Sequence, residues 1–162
     1  MHTIVIILGS NQGDSKALIL KAKQMLEIKL GRCVNASSLY ESEAWGFKSE
    51  TAFLNQVLIY RTIIKPQSIL QIALEIEKEL GRIRITKGYA SRTMDIDLLF
   101  YDQEIIQEAN LQIPHPRLHL RRFSLEPLAE IMPDFIHPEL NKTISDLLKS
   151  CKDNSKIIKL KN

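Results

Sequence analysis

The sequence predicts an α+β fold of ferredoxin-like βαββαβ order: an antiparallel sheet with its helices on one face, followed by a C-terminal extension. Three observations predict it. β-Branched or alternating apolar runs at 3–8, 34–40, 53–60 and 93–100 mark four strands. Two longer segments, 15–30 and 66–80, carry apolar residues at helical spacing and fall after the first and third strands. Read in order, these elements give the split βαβ plan, which leaves the second sheet face able to carry a site.

Length and composition bound the function. A chain of 162 residues is long enough for one domain with a real core, so a single domain over 1–162 is expected, with the polar, basic tail after about residue 151 frayed. The net charge of +3 permits an anionic ligand without calling for nucleic acid. No apolar run is long enough to span a bilayer. The first residues lack the basic segment and cleavage pattern of a signal peptide. Cys33 and Cys151 lie far apart with no metal-ligand spacing, as free thiols in a reducing compartment would. A cytoplasmic monomer that binds neither membrane nor nucleic acid is expected.

Each element has a local cause. Thr3 to Leu8 is a continuous β-branched run and so a central, buried strand. Gly9-Ser10-Asn11-Gln12-Gly13 is a turn; it has neither the Lys-Ser/Thr of a P-loop nor dinucleotide-fingerprint spacing. Asp14 or Ser15 can cap a helix that runs to about Leu30, with Gly31 past its end. A weaker strand covers Val34 to Tyr40, and the loop after it holds Ser42 and the only tryptophan, Trp45, either a core plug or a ligand lid. In the strand Phe53 to Tyr60, alternation puts Phe53, Asn55, Val57 and Ile59 on one face. An aromatic ring and an amide two residues apart could read a flat polar heterocycle, or simply pack. Pro66 opens the second helix and Gly81 closes it. Leu125 to Ile131 and Thr143 to Ser150 are short helices of the extension.

The chemistry concentrates in Arg92-Thr93-Met94-Asp95-Ile96-Asp97-Leu98-Leu99-Phe100. Met94, Ile96 and Leu98 make an apolar face; Asp95 and Asp97 share the other, roughly 6–7 Å apart along the strand. Two carboxylates on one sheet face repel each other unless a cation lies between them. Mg²⁺ suits them, because it takes one or two carboxylates together with phosphate oxygens and water. A solvated edge strand is the plainer alternative; Arg92 upstream and the apolar partner face favour the metal. The basic segment 82–92 leads into this strand and reads as a phosphate clamp, mobile as active-site lids are. Further on, Pro114-His115-Pro116-Arg117-Leu118-His119-Leu120-Arg121-Arg122-Phe123 packs two histidines and three arginines together without zinc-ligand spacing, which suits phosphate contact better than metal ligation.

These pieces resemble the 6-hydroxymethyl-7,8-dihydropterin pyrophosphokinases of folate biosynthesis. The resemblance runs through Gly9-Ser10-Asn11, Ser42, Phe53-Leu54-Asn55, Gly81-Arg82, Arg92-x-x-Asp95-x-Asp97-Leu98-Leu99, Pro114-His115 and Arg121-x-Phe123, nearly the whole chain. It implies transfer of the β,γ-diphosphate of ATP to a pterin alcohol, leaving AMP. It implies two Mg²⁺ ions on Asp95 and Asp97, and Arg82 and Arg92 as catalytic groups closing over the phosphates. ATP would be bound by Glu77, Arg84, Tyr89, Leu98, His115 and Arg121. The pterin would stack between Phe53 and Phe123, with Asn55 and Ser42 on its edge and Gly9 and Trp45 closing the pocket. Two departures stand out. Gly88-Tyr89-Ala90-Ser91 replaces the basic residue, Trp, Gly and Pro usual in the family, and Phe53 replaces a common Tyr. Two rivals come from other classes. A metal-dependent nucleotidyltransferase would place Gly-Ser close to Asp-x-Asp, whereas Gly9-Ser10 and Asp95 lie most of a domain apart. An RNA-binding ferredoxin-like module would want aromatic residues on its central strands, and Val5-Ile6-Ile7 supplies none.

Overall fold

The structure is a computed structural model that describes residues 1–43, 51–81 and 93–161. Strand β1 (His2–Ser10) is central, as its unbroken apolar run requires. It pairs antiparallel with β4 (Phe53–Thr62) on one side and with β5 (Asp95–Tyr101) on the other. The strand expected at 34–40 is split into β2 (Cys33–Ala36) and β3 (Tyr40–Ser42), both antiparallel to β4. Ser37 makes the break. Its N–H donates to the Val57 carbonyl at 2.8 Å, and its hydroxyl accepts from the Val57 N–H at 2.9 Å, so one side chain replaces a rung of the ladder. The principal sheet order β5-β1-β4-β3 is the ferredoxin-like one.

Helix α1 (Ser15–Leu30) starts where the Asp14 carboxylate accepts from the Ala17 N–H at 3.1 Å, and it stops at Gly31, whose φ of 112° suits glycine alone. Helix α2 (Pro66–Glu79) starts on its proline. Ile19, Ala22 and Leu26 of α1 and Ile69, Ala73 and Ile76 of α2 bury the sheet face formed by Ile4, Ile6, Leu8, Leu58, Tyr60, Met94, Ile96 and Leu98.

Two features add to the expected plan. The second sheet face is largely covered. Helices α3 (Arg122–Ile131) and α4 (Ile144–Lys149) lay Leu125, Leu128, Ile144 and Leu147 on Val5, Ile7, Val57, Leu99 and Phe100. The cause is the apolar run itself. A strand whose successive residues are all apolar must be buried on both sides, and each side chain left in water would forgo about 1.5–3 kcal/mol. The tail carries a strand. Ile157–Lys159 forms β8, paired with β3, and Lys159 reaches Glu130 at 2.7 Å. Asp153 anchors the approach, accepting from the Arg122 N–H at 3.0 Å.

Between β5 and α3, β6 (Ile106–Gln107) and β7 (Gln112–Ile113) make a small hairpin. The Ile113–Pro114 peptide is cis, and the His115 N–H donates to the Leu99 carbonyl at 3.0 Å. No helix among the described residues is long and apolar enough to cross a membrane.

Candidate active site

One row of the sheet organises the site. In register, Asp95 on β5 faces Gly9 on β1, Gly9 faces Asn55 on β4, and Asn55 faces Tyr40 on β3. Residues opposite one another in a sheet point to the same side, so Asp95 and Asn55 stand on one face with only the Gly9 backbone between them. The closeness is measurable. A Cβ at position 9 would lie 3.1 Å from Asn55 Oδ1 and 3.9 Å from the Phe53 ring. Gly9 is thus a bare floor that lets an amide and an aromatic edge lie against the strand.

Two residues along, the same face carries Asp97, Ile7 and Val57 on one side of that row, and Phe53 opposite Ser42 on the other. The Asn55 amide donates from Nδ2 to Ser42 Oγ at 2.7 Å, and both residues are buried. In this arrangement the NH₂ faces Ser42 and Oδ1 faces the glycine floor. The alternation expected for β5 holds, with Met94, Ile96 and Leu98 buried and Asp95 and Asp97 partly exposed. Leu98, expected near ATP, has its side chain in the core under α1 and α2, so only its backbone could face a nucleotide.

His115 Nε2 lies 3.9 Å from Asp97 Oδ2. The Arg117 N–H donates to His115 Nδ1 at 3.2 Å, which leaves the ring proton on Nε2, facing the aspartate. Burial, helped by the positive charges of Arg121 and Arg117, pushes the His115 pKa down to about 4, although Asp95 pulls the other way. The ring is therefore a neutral N–H donor at neutral pH. Arg121 is 7% exposed and its guanidinium carbon sits 5.5 Å from the centre of the Phe123 ring, within cation–π range. A neutral imidazole donor beside Asp97, with the buried Arg121 charge near enough to act on it, makes an environment for an anion bridged by a metal.

Glu77 is 3% exposed, on α2 rather than on the site face. Its Oε2 accepts from the Ile96 N–H at 2.8 Å. Trp45, Arg82, Arg84, Tyr89 and Arg92 lie outside the described residues, and so does the mobility expected of 82–92. His137 was missed by sequence reasoning. It shares a cavity of about 450 Å³ with His115, His119 and Glu139. It arrives from beyond α3, and no local spacing announces it.

Among the described residues, no three His, Cys, Asp or Glu side chains converge on one point as a metal cage. Mg²⁺ needs none, since it keeps several waters and is bound through one or two carboxylates plus substrate phosphates. Two partly exposed carboxylates on adjacent same-face positions fit that donor set.

Comparison with known proteins gives the family. The family model for 7,8-dihydro-6-hydroxymethylpterin-pyrophosphokinase (HPPK) matches residues 5–133. The chain belongs to this family. The 2-amino-4-hydroxy-6-hydroxymethyldihydropteridine pyrophosphokinase of Porphyromonas gingivalis is 41% identical over 142 residues, covering 86% of this chain and 96% of the relative. That of Aquifex aeolicus is 42% identical over 146 residues, covering 90% of each. Among solved structures, the wild-type HPPK-DHPS of Plasmodium falciparum with SDX-DHP superposes with a TM-score of 0.71 at 21% identity. It covers 92% of this chain and 43% of that longer one, and the likeness is one of fold. The HPPK match ends before α4 and β8, yet those elements bury part of the second face and extend the edge beside Ser42.

Proposed function

We propose that the protein transfers the β,γ-diphosphate of ATP to the hydroxymethyl group of 6-hydroxymethyl-7,8-dihydropterin, giving AMP and the pterin diphosphate in folate biosynthesis. The observation that carries this reading is the single sheet row Asp95–Gly9–Asn55. It sets a carboxylate suited to a phosphate-bound cation beside an amide suited to a flat heterocycle. The HPPK relatives, similar over most of their length, support the same chemistry.

The residues divide the work. Asn55, oriented by Ser42, hydrogen-bonds the pterin edge above the Gly9 floor, and Phe53 and Phe123 stack on its faces. Trp45 closes the pocket. Asp95 and Asp97 hold two Mg²⁺ ions, which supply charge neutralisation and alignment of the phosphates when bound. His115 donates Nε2–H to a phosphate oxygen, and Arg121, held over Phe123, adds buried positive charge. Arg84, Tyr89 and the Leu98 backbone contribute to nucleotide binding. The pterin hydroxyl oxygen forms a bond to the β-phosphorus, the bond from that phosphorus to the α-phosphate oxygen breaks, AMP departs, and the hydroxyl proton is released. Such a transfer needs positioning and charge stabilisation more than covalent catalysis. Arg82 and Arg92 meet the charge that develops. The protein acts as a cytoplasmic monomer with ATP and the pterin as its partners, and without nucleic acid.

The test is direct. With ATP, Mg²⁺ and 6-hydroxymethyl-7,8-dihydropterin, AMP and pterin diphosphate should appear in equal amounts and only when all three are present. Release of free diphosphate, or of ADP, would assign another reaction.

A further inference from the structure

Among the described residues, β5 is an edge strand of the main sheet, and β1 is its one neighbouring strand there. In an antiparallel pair, alternate residues turn their backbone groups toward and away from the partner. The Ile96 N–H turns away from β1, toward the side where a further strand would lie. Glu77 takes that strand's place: its carboxylate, buried on α2, accepts the Ile96 N–H at 2.8 Å. Ile96 lies between Asp95 and Asp97, so the bond is made at the Asp95–Ile96 peptide, inside the segment that separates the two acids. The Ile96 side chain is buried against the α2 face, so helix and strand are held together twice at one residue.

We infer that Glu77 is a positioning residue, which fixes the spacing and tilt of the Asp95 and Asp97 carboxylates by accepting the backbone N–H that lies between them on the outer side of β5. The inference rests on the proposed metal role of Asp95 and Asp97. It differs from a nucleotide-binding role for Glu77, because what it requires is a hydrogen-bond acceptor, not a negative charge. An acceptor for a buried backbone N–H is a strong local restraint, because leaving that N–H unpaired costs its full desolvation. Without it, the edge peptide between the two ligands can rotate, and two carboxylates that repel each other then separate.

The test compares Glu77→Gln, which keeps a carbonyl acceptor, with Glu77→Leu, which removes it. Three readouts are taken: amide hydrogen exchange at Ile96, Mn²⁺ affinity measured calorimetrically in the presence of a non-reactive α,β-methylene ATP, and the Mg²⁺ concentration giving half-maximal AMP formation. In Glu77→Leu, the Ile96 amide should exchange at least tenfold faster and Mn²⁺ should bind about tenfold more weakly. The Mg²⁺ requirement should rise in step, while KM for the pterin is unchanged. Glu77→Gln should stay within about twofold of the parent in all three. A uniform loss of stability would lower the amount of folded enzyme without moving the metal midpoint. If Glu77→Gln is as impaired in metal affinity as Glu77→Leu while its Ile96 amide stays protected, charge is what matters and the positioning role is overturned. It is equally overturned if Glu77→Leu exposes Ile96 yet binds Mn²⁺ normally. Should Glu77→Leu fail to fold, a tenfold weakening of Mn²⁺ in Glu77→Gln alone decides against the inference. The exchange and Mn²⁺ measurements do not depend on turnover, so a failure of the proposed reaction would be seen separately, as absence of AMP from the parent enzyme.

Discussion

His115 Nε2 stands 3.9 Å from Asp97 Oδ2, too far for a hydrogen bond, with the ring held neutral by burial and by Arg121. The pair is therefore no salt bridge. The imidazole proton faces the aspartate without reaching it, and an oxygen of a metal-bound phosphate is the natural acceptor.

His115→Ala should weaken Mg-ATP binding more than pterin binding. A hydrogen bond to a charged group is worth about 1.5–3 kcal/mol, or roughly tenfold to 150-fold in affinity. Calorimetry with each ligand separately checks this. In the parent, the pH profile of kcat/KM should contain no inflection near 6.5 that disappears in His115→Ala. Finding one would mean the imidazole is charged in the free enzyme.

Stability should fall on mild acidification. His115 and His137 are both held down to about 4, His137 by burial and by His119. Between the ordinary histidine value near 6.5 and about 4, the unfolded chain binds more protons than the folded one, so stability is lost as pH drops through that window. Each group contributes up to about 1.4 kcal/mol per pH unit there. Asp102, Glu130 and Asp153 have carboxyls held below their usual values, so they act only at lower pH. Urea midpoints from about pH 7 to 5.5 therefore isolate the histidines. His137 Nδ1 accepts the Glu139 and Leu140 N–H groups at 3.2 and 3.1 Å. Asparagine at 137 could keep an acceptor there and should flatten the slope by about half.

How much of this was legible in the sequence differs from residue to residue. Asp95 and Asp97 could be placed on one face because a period of two is a property of any strand. The helix starts at Asp14 and Pro66 follow from capping and proline geometry, and both are where the sequence puts them. The second face could have been anticipated from β1, since an apolar run from Ile4 to Leu8 leaves no polar side. The sheet plan of helices on one face masked that signal. The contacts Gly9–Asn55, Ser42–Asn55 and Glu77–Ile96 join residues from different elements, and nothing local encodes which strand lies beside which. The β8 strand was hidden for another reason: Ile157 and Ile158 are too few, among lysines, to signal a strand before β3 offers an edge.

Gly9→Ala should damage the heterocycle pocket with little effect on the rest. The new methyl would meet Asn55 Oδ1 at 3.1 Å, so the amide must shift from its 2.7 Å bond with Ser42. Losing the alignment of one neutral hydrogen bond costs about 0.5–1.5 kcal/mol, roughly twofold to tenfold in pterin affinity. Mg-ATP affinity should be unchanged. Equal losses for both ligands would show that the floor serves the whole site.

Asp97→Ala should nearly abolish turnover and leave the fold intact. The side chain is 31% exposed and pairs across the sheet with Ile7 through its backbone, which alanine preserves. Substitutions at such positions usually change stability by no more than about 0.5 kcal/mol. Circular dichroism and the urea midpoint should match the parent while AMP formation falls to background. Near-normal activity at limiting Mg²⁺ would remove the metal role.

Deleting residues 152–162 should reduce both stability and pterin affinity, although no residue of the tail lies in the proposed pocket. Strand β8 completes the edge beside β3, matching Tyr40, Glu41 and Ser42 with Lys159, Ile158 and Ile157, and the Leu160 N–H donates to the Leu39 carbonyl at 2.9 Å. Arg122 adds two bonds to Asp153, from its N–H at 3.0 Å and from Nε at 2.8 Å, tying the start of α3 to the tail. At about 0.5–1.5 kcal/mol for each bond lost, the deletion should cost on the order of 3 kcal/mol. The ion pair from Lys159 to Glu130 contributes little of this, because Lys159 is largely exposed and such pairs are worth about 0–1 kcal/mol. Lys159→Ala should therefore be nearly silent, which separates strand pairing from charge. The effect on function runs through Ser42. That residue ends β3, is matched with Ile157, and orients the Asn55 amide, so loosening the edge frees the amide to rotate. Pterin affinity should fall several-fold in the truncated protein while Mg-ATP affinity holds, measured at a urea-free temperature well below its melting point. Unchanged pterin binding in a destabilised truncation would mean that β4 alone holds Asn55, and that β8 serves stability only.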